Sequence, residues 1–361
     1  MKKEAALART DNAITGDSAG AHAAPANESA RLLAGLQAIV SRLASGGARV
    51  ANLRRLSGGA SQQTWSFTVA GQHGEHARIL RRGQPDAGHR GSANVGFAAE
   101  AQLFELAAAA GVPVPHVVHV LRPQDGLGDG FVMEHVEGET LGKRIVRDAR
   151  LAHARTQLAA QCGEALARIH AIEPSTLPRL RVAPANVEMA FWLGQHRAYG
   201  MANPVFECAF QWLRRHLPPA PRVCTLVHGD FRNGNLIVTE AGLRAVLDWE
   251  LAHIGDPMED LGWLCVNSWR FGNADKPVGG FGTREQLFAA YEAGGGQVDP
   301  QRVRFWEVFG TLKWGIVCEG MVYGWLDGTE REIEKAAIGR RTSEAEIDLL
   351  AMLTHTGAAS C

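Results

Sequence analysis

Asp230, Asn235 and Asp248 lie in one strand-like segment, VCTLVHGDFRNGNLIVTEAGLRAVLDWE, and their types suit the binding of a hard cation. Two apolar runs, Leu236 to Thr239 and Leu243 to Leu247, flank Glu240, Ala241 and Gly242 in the pattern of a hairpin. With Ala241 and Gly242 as a two-residue loop, Glu240 pairs with Leu243 and Asn235 falls opposite Asp248. Directly opposed side chains share a face, with Cβ atoms about 4.5–5.5 Å apart. An amide oxygen and a carboxylate then meet, ligands of the kind Mg²⁺ accepts beside phosphate oxygens. One extra loop residue would turn every side chain to the other face. Ahead of the hairpin stand His228 and Asp230, giving H-x-D-x-x-x-x-N with a second Asp at a hairpin's distance.

Through HGDFRNGNL and VLDWELAHIGDPMEDLGWL the chain resembles the aminoglycoside phosphotransferase and choline kinase superfamily, from about residue 35 to its end. Within it, the resemblance is to the phosphotransferase domains associated with acyl-CoA dehydrogenases. The resemblance implies that Asp230 accepts or orients the proton of an acceptor hydroxyl, and that Asn235 and Asp248 hold Mg²⁺. His228 is expected to brace the catalytic loop, and Asp260 to serve as scaffold. Glu250 suits a second metal ion or a solvated position equally. Asp256, followed by Pro257 and Glu259, reads as a helix cap.

A phosphoryl donor needs a nucleotide site. No Walker A motif occurs, because Gly142-Lys143 is followed by Arg144, and no G-x-G-x-x-G is present. A Gly-rich turn at Ser57, Gly58, Gly59 and Ser61 precedes a strand and can lay backbone N–H groups over phosphates. The superfamily places its nucleotide loop there. Arg81 occupies the strand where kinases carry a phosphate-binding Lys, a departure from the pattern, with Glu100 as its expected ion-pair partner. The strand through Met133 resembles the hinge between lobes, where backbone groups of Glu134 and Val136 would bond the adenine edge. ATP and Mg²⁺ are the expected cofactors.

The elements that must position these groups follow from local pattern. Residues 1–28 are small and polar and read as a disordered tail. Residues 29–135 read as an N-lobe: a helix from Arg31 to Leu43, strands Trp65–Val69 and Ala77–Leu80, a helix over Phe97–Ala110, and a strand over Gly130–His135. Residues 136–361 read as a mainly helical C-lobe, with helices over Gln157–Ile172 and residues 301–326. Ser343 and Glu346 form a capping-box pattern before the last helix. The fold class is α+β: a two-lobed protein-kinase-like fold, small mixed N-lobe and larger helical C-lobe.

Composition narrows the function classes. Lys and Arg total 37 against 38 Asp and Glu, which argues against a nucleic-acid-binding role. No apolar run approaches the roughly 18 residues of a membrane span. The six scattered cysteines lack metal or disulfide spacing. No secretory h-region follows Met1-Lys2-Lys3, so a cytoplasmic protein is expected. The reading is an ATP- and Mg²⁺-dependent phosphotransferase acting on a small-molecule hydroxyl. Alternatives are an aminoglycoside (antibiotic) kinase and a catalytically silent pseudokinase; the latter would have lost one of Asp230, Asn235 or Asp248, and all are present. Residues 175–225 hold six Arg against Glu188 and Glu207, a surplus suited to an anionic or CoA-linked acceptor.

Overall fold

The computed structural model describes residues 26–43, 47–56, 62–72, 74–83, 94–329 and 331–354. The tail expected over residues 1–28 lies outside them up to residue 25, and helix α1 (Ala26–Leu43) follows. The N-terminal sheet comprises β1 (Arg49–Arg55), β2 (Gln62–Gly71), β3 (Gly74–Gly83), β4 (Val117–Val120) and β5 (Gly130–Glu134), in the order β1-β2-β3-β5-β4. Its paired neighbours are all antiparallel.

Strand alternation decides what covers each face. Trp65, Phe67, Leu80 and Val132 point to one side and pack on Leu32, Leu36 and Ile39 of α1. Their chain neighbours Ile79, Phe131 and Met133 point to the other, against Leu103, Phe104 and Ala107 of α2 (Phe97–Ala109). The middle of the sheet is thus held between α1 and α2, while β1 and the start of β3 stay largely exposed. The apolar spacing of α1 supplies one stripe, which is all a helix on a sheet needs.

The C-terminal part is mainly helical: α3 (Gly142–Arg147), α4 (Ala152–His170), α5 (Ala185–Tyr199), α6 (Pro204–Arg215), α7 (Met258–Leu264), α8 (Arg284–Ala293), α9 (Pro300–Leu326), α10 (Ile333–Gly339) and α11 (Thr342–Thr354). Helix α9 is buried on all sides between Phe305 and Ile316, as a central helix must be. Helices α5, α6, α7, α10 and α11 pack around it. Close approach of α7 depends on Gly262, where a Cβ would meet Trp306 and the Glu307 backbone N at 2.6–2.8 Å. Short strands β6 (Thr225–Val227) and β9 (His253–Gly255) pair with each other, as do β7 (Leu236–Thr239) and β8 (Gly242–Val246).

Two local expectations need correction. In the β7–β8 hairpin Thr239 pairs with Gly242, so the loop is Glu240-Ala241 rather than Ala241-Gly242. Gly242 takes φ +111°, open to glycine, which lets the turn close one residue early. An irregularity between Ile237 and Val238 then sets Leu236 opposite Val246, and the Leu247 N–H donates to the Asn235 carbonyl at 2.8 Å. Asn235 therefore faces Leu247, not Asp248. Ser343 is also not a cap. Helix α11 has already begun at Thr342; the Ser343 hydroxyl donates to the Arg340 carbonyl at 3.2 Å, and Glu346 instead accepts from Asn203 at 2.8 Å.

Candidate active site

The segment between β6 and β7 is pinned from beneath by a buried carboxylate. Asp260 on α7 accepts the His228 N–H at 2.8 Å on Oδ2 and the Gly229 N–H at 2.9 Å on Oδ1. These bonds, with that to His170, hold its carboxyl below the usual range although burial pushes the other way. Gly229 has φ +81°, and a Cβ there would strike the Leu251 carbonyl, so only glycine fits. His228 is fully buried; Nε2 faces the Leu247 carbonyl at 3.0 Å, and Nδ1 accepts the Asp230 N–H at 3.2 Å. That pattern fits a neutral ring, and burial lowers its pKa despite three nearby carboxylates. His228 braces; it is not placed to shuttle protons.

Asp230 receives three side-chain donors. Arg232 Nε and Trp263 Nε1 reach Oδ1 at 2.9 and 2.8 Å, and Asn235 Nδ2 reaches Oδ2 at 2.6 Å. Because the amide nitrogen of Asn235 faces Asp230, its oxygen is the atom left for a cation. Asp248 reaches the same region by a different route from a strand pair. It sits past the end of β8 with φ +66° and ψ +66°, a costly conformation for a residue with a Cβ. Its carboxylate contacts the Arg81 guanidinium.

Arg81 is the junction of the lobes. Its Nε lies 3.1 Å from the Glu100 carboxylate, and its Nη2 lies 3.9 Å from Glu250. Burial, only partly offset by Arg81, pushes Glu100 up to about 7. Burial and then Asp248 push Glu250 up to about 8. Glu250 is only partly exposed and is held by protein: the side-chain amides of Gln62 and Asn94 donate to it, the latter at 3.0 Å, and its carbonyl accepts the Val95 N–H at 2.9 Å. It ties the sheet and the start of α2 to the catalytic segment.

Ser57, Gly58, Gly59 and Ser61 lie outside the described residues. Glu134 ends β5 and donates its N–H to the His116 carbonyl at 2.9 Å; Val136 stands two residues beyond. Asp256 accepts the Met258 N–H at 3.0 Å, as a cap, and also binds Arg302 and the Trp306 indole. Of the six Arg in residues 175–225, Arg181 is neutralised by Glu188, while the other five are exposed.

Two residues near Asp230 were not foreseen. Trp263 follows Asp260 by three positions on α7, so both face the catalytic loop. Lys313 is a single cation in the apolar middle of α9. Its ammonium donates to the Gly229 carbonyl at 3.0 Å, 4.8 Å from the centre of the Trp263 ring. A lone Lys inside TLKWGIV was the legible signal.

Among the described residues no cluster of three or more His, Cys, Asp or Glu is arranged to hold a metal ion. One carboxylate and one amide oxygen, Asp248 and Asn235, nevertheless fit Mg²⁺, which usually takes few protein ligands and completes its shell with water and phosphate.

A family model described as the phosphotransferase enzyme family matches residues 52–306. Acyl-CoA dehydrogenase family member 10 of Mus musculus is 29% identical over 272 residues, which cover 69% of this chain and 25% of that protein. Acyl-CoA dehydrogenase family member 11 of Homo sapiens is 30% identical over 177 residues, 46% of this chain and 22% of that protein. The chain thus spans about a quarter of the length of these curated relatives. Among solved structures, a choline/ethanolamine kinase family protein from Mesorhizobium loti superposes with TM-score 0.61 at 20% identity, covering 91% of this chain and 96% of that one. A thermostable mutant of an aminoglycoside phosphotransferase, in ternary complex with ADP and hygromycin B, gives 0.58 at 18% identity, covering 90% and 99%. These likenesses establish the kinase-like fold. No helix among the described residues is long and apolar enough to cross a membrane.

Proposed function

The chain belongs to the phosphotransferase enzyme family, and from that premise we propose that it transfers the terminal phosphoryl group of ATP to a hydroxyl of a small anionic acceptor. The observation that carries the reading is the Asp230 carboxylate, held in one orientation by Arg232, Trp263 and Asn235. A carboxylate fixed this way suits receiving a hydroxyl proton while the acceptor oxygen bonds to phosphorus and the bond to ADP breaks. Asn235 and Asp248 would hold Mg²⁺. Bound there, the ion would neutralise phosphate charge.

Nucleotide contacts are assigned on the same basis. Arg81 would exchange Asp248 for phosphate oxygens, with Glu100 keeping its guanidinium in place. Ser57, Gly58, Gly59 and Ser61 would cover the phosphates, and the backbone of Glu134 and Val136 would meet adenine. Residues 29–135 would form the nucleotide lobe and 136–361 the acceptor lobe. An Arg in place of Lys keeps the charge but presents a planar fork, so phosphate geometry differs from that of Lys-bearing kinases.

The acceptor class rests on two supports: the acyl-CoA dehydrogenase names of the relatives, and the exposed Arg residues between 179 and 222. Hydroxyacyl-CoA thioesters are the first choice. Mg²⁺-dependent ADP release with 4-hydroxyacyl-CoA, set beside kanamycin-type acceptors, tests it. Turnover of the polycation alone would overturn the acceptor assignment, and no ADP release across a hydroxylated-compound library would overturn the activity.

A further inference from the structure

From Asp230 a row of tryptophans leads away from the proposed reaction centre. Trp263, which donates to Asp230, meets Trp269 with ring centres 5.1 Å apart, and Trp269 meets Trp314 at 4.9 Å. Each ring carries a cation: Lys313 over Trp263 and Arg232 over Trp269, both at 4.8 Å, and Arg341 over Trp314 at 5.5 Å. On the Arg341 side opens a cleft of about 480 Å³ between α3, the loop 267–272 and α11. That volume suits a small organic molecule and is too large for a lone inorganic ion.

Charge in the cleft is unevenly matched. Arg341 is paired with Glu344 at 2.9 Å, and Asp348 accepts from Asn267 at 2.9 Å while burial pushes its carboxyl up. The α3 wall has no such balance. Among the described residues Lys143 has no acidic partner, and the Arg147 guanidinium meets only the Phe271 carbonyl, at 2.7 Å. Ser268, only 4% exposed, lines the cleft with a hydroxyl that has no partner. Buried donors without acceptors are uncommon in folded proteins. Here the Ser268 hydroxyl and the two unbalanced cations ask for a ligand rich in acceptor oxygens. Phe271, held at φ +49°, and the exposed Ile347 add an apolar side.

We propose that this cleft binds a phosphate ester, with its phosphate against Lys143, Arg147 and Ser268 and its organic part against Phe271 and Ile347. Asn233 of the catalytic loop donates to the Trp269 and Gly279 carbonyls at 2.8 and 2.9 Å, so the loop carrying Asp230 also fixes the cleft wall.

Phenyl phosphate is the probe, read by quenching of intrinsic tryptophan fluorescence in the full chain without nucleotide. Saturable quenching is expected in the wild type, weakened at least about tenfold in Lys143→Glu and in Arg147→Glu. Phenol, the uncharged arm, should not saturate the signal, and Arg81→Met should bind the phosphate ester as the wild type does. Equal binding by wild type and Lys143→Glu, or equal quenching by phenol, overturns the proposal. So does loss of binding in Arg81→Met, which would place the probe in the nucleotide site. No turnover is measured, so failure of ATP-dependent transfer would leave this result readable on its own.

Discussion

The Arg81 guanidinium lies against the Asp248 carboxylate, so a side chain of the N-terminal sheet holds the residue proposed to bind the metal. The same guanidinium reaches Glu100 at 3.1 Å, and Arg81 is only 14% exposed. Arg81→Met should therefore weaken Mg²⁺·ATP binding by about 1.5–3 kcal/mol, the range of a hydrogen bond to a charged group. Arg81→Lys should recover part of this, since an ammonium reaches one acid where the planar fork reaches two. Glu100→Gln should fall between them. Titration calorimetry with the three variants checks the order, and unchanged affinity in Glu100→Gln would remove that pair from the mechanism.

Asp260 accepts two successive backbone N–H groups and the His170 ring, all out of contact with water. Asp260→Asn puts an amide N–H where one of these donors points, leaving it unsatisfied. A loss of about 3 kcal/mol in unfolding free energy is expected. Urea denaturation measures it. A variant as stable as the wild type would mean that the loop is held by its strands alone.

The sequence was most legible where one local pattern decided the outcome. Trp65 and Phe67, and the Gly71–Gly74 turn, mark β2 and β3 by alternation, and the apolar length of residues 301–326 marks α9. Asp230 and Asn235 were legible by spacing, since the same short loop carries both. Their relation to Asp248 was not. It turns on a hairpin closing at Gly242, an irregularity at Val238 and a left-handed Asp248, and hydrophobic pattern encodes none of these. Contacts across long sequence separations were equally hidden: nothing local in Gln62, Asn94 or Glu250 says that they meet.

His253 and His228 set opposing pH dependences. Burial lowers His253, but Glu259, 3.1 Å from Nε2, and Glu188 together more than offset it and leave the ring above its ordinary 6.5. The folded state then holds the extra proton above pH 6.5, so this stabilisation is complete below 6.5 and is lost as pH rises through the raised value. His228, lowered by burial, acts in the other direction: its contribution is present above 6.5 and is lost as pH falls toward the depressed value. Denaturation midpoints across pH 5 to 9 (roughly the range these shifts cover) should fall on the alkaline side, where the raised carboxyls of Glu100 and Glu250 also lose protons that only the folded state holds. His253→Gln should lessen that alkaline decline. An alkaline decline unchanged in that variant would assign it to other groups.

Asp230 and Asp248 are close enough to act on each other's neighbours, yet the proposed mechanism gives them separable tasks. Both carboxylates raise the pKa of His228 and of Glu250, which places them in one electrostatic neighbourhood. Asp230 is engaged by Arg232, Trp263 and Asn235, whereas Asp248 is engaged by Arg81. Asp230→Asn keeps the shape and removes the carboxylate that would take the hydroxyl proton, so transfer should fall by about 10²–10⁴-fold, the usual worth of general acid–base catalysis, with Mg²⁺·ATP affinity nearly unchanged. Asp248→Ala removes a metal ligand, so affinity and transfer should be lost together. Binding by calorimetry and ADP release by a coupled assay separate the two outcomes. If Asp230→Asn turns over at the wild-type rate, the proton acceptor lies elsewhere; if Asp248→Ala binds Mg²⁺·ATP normally, the metal does.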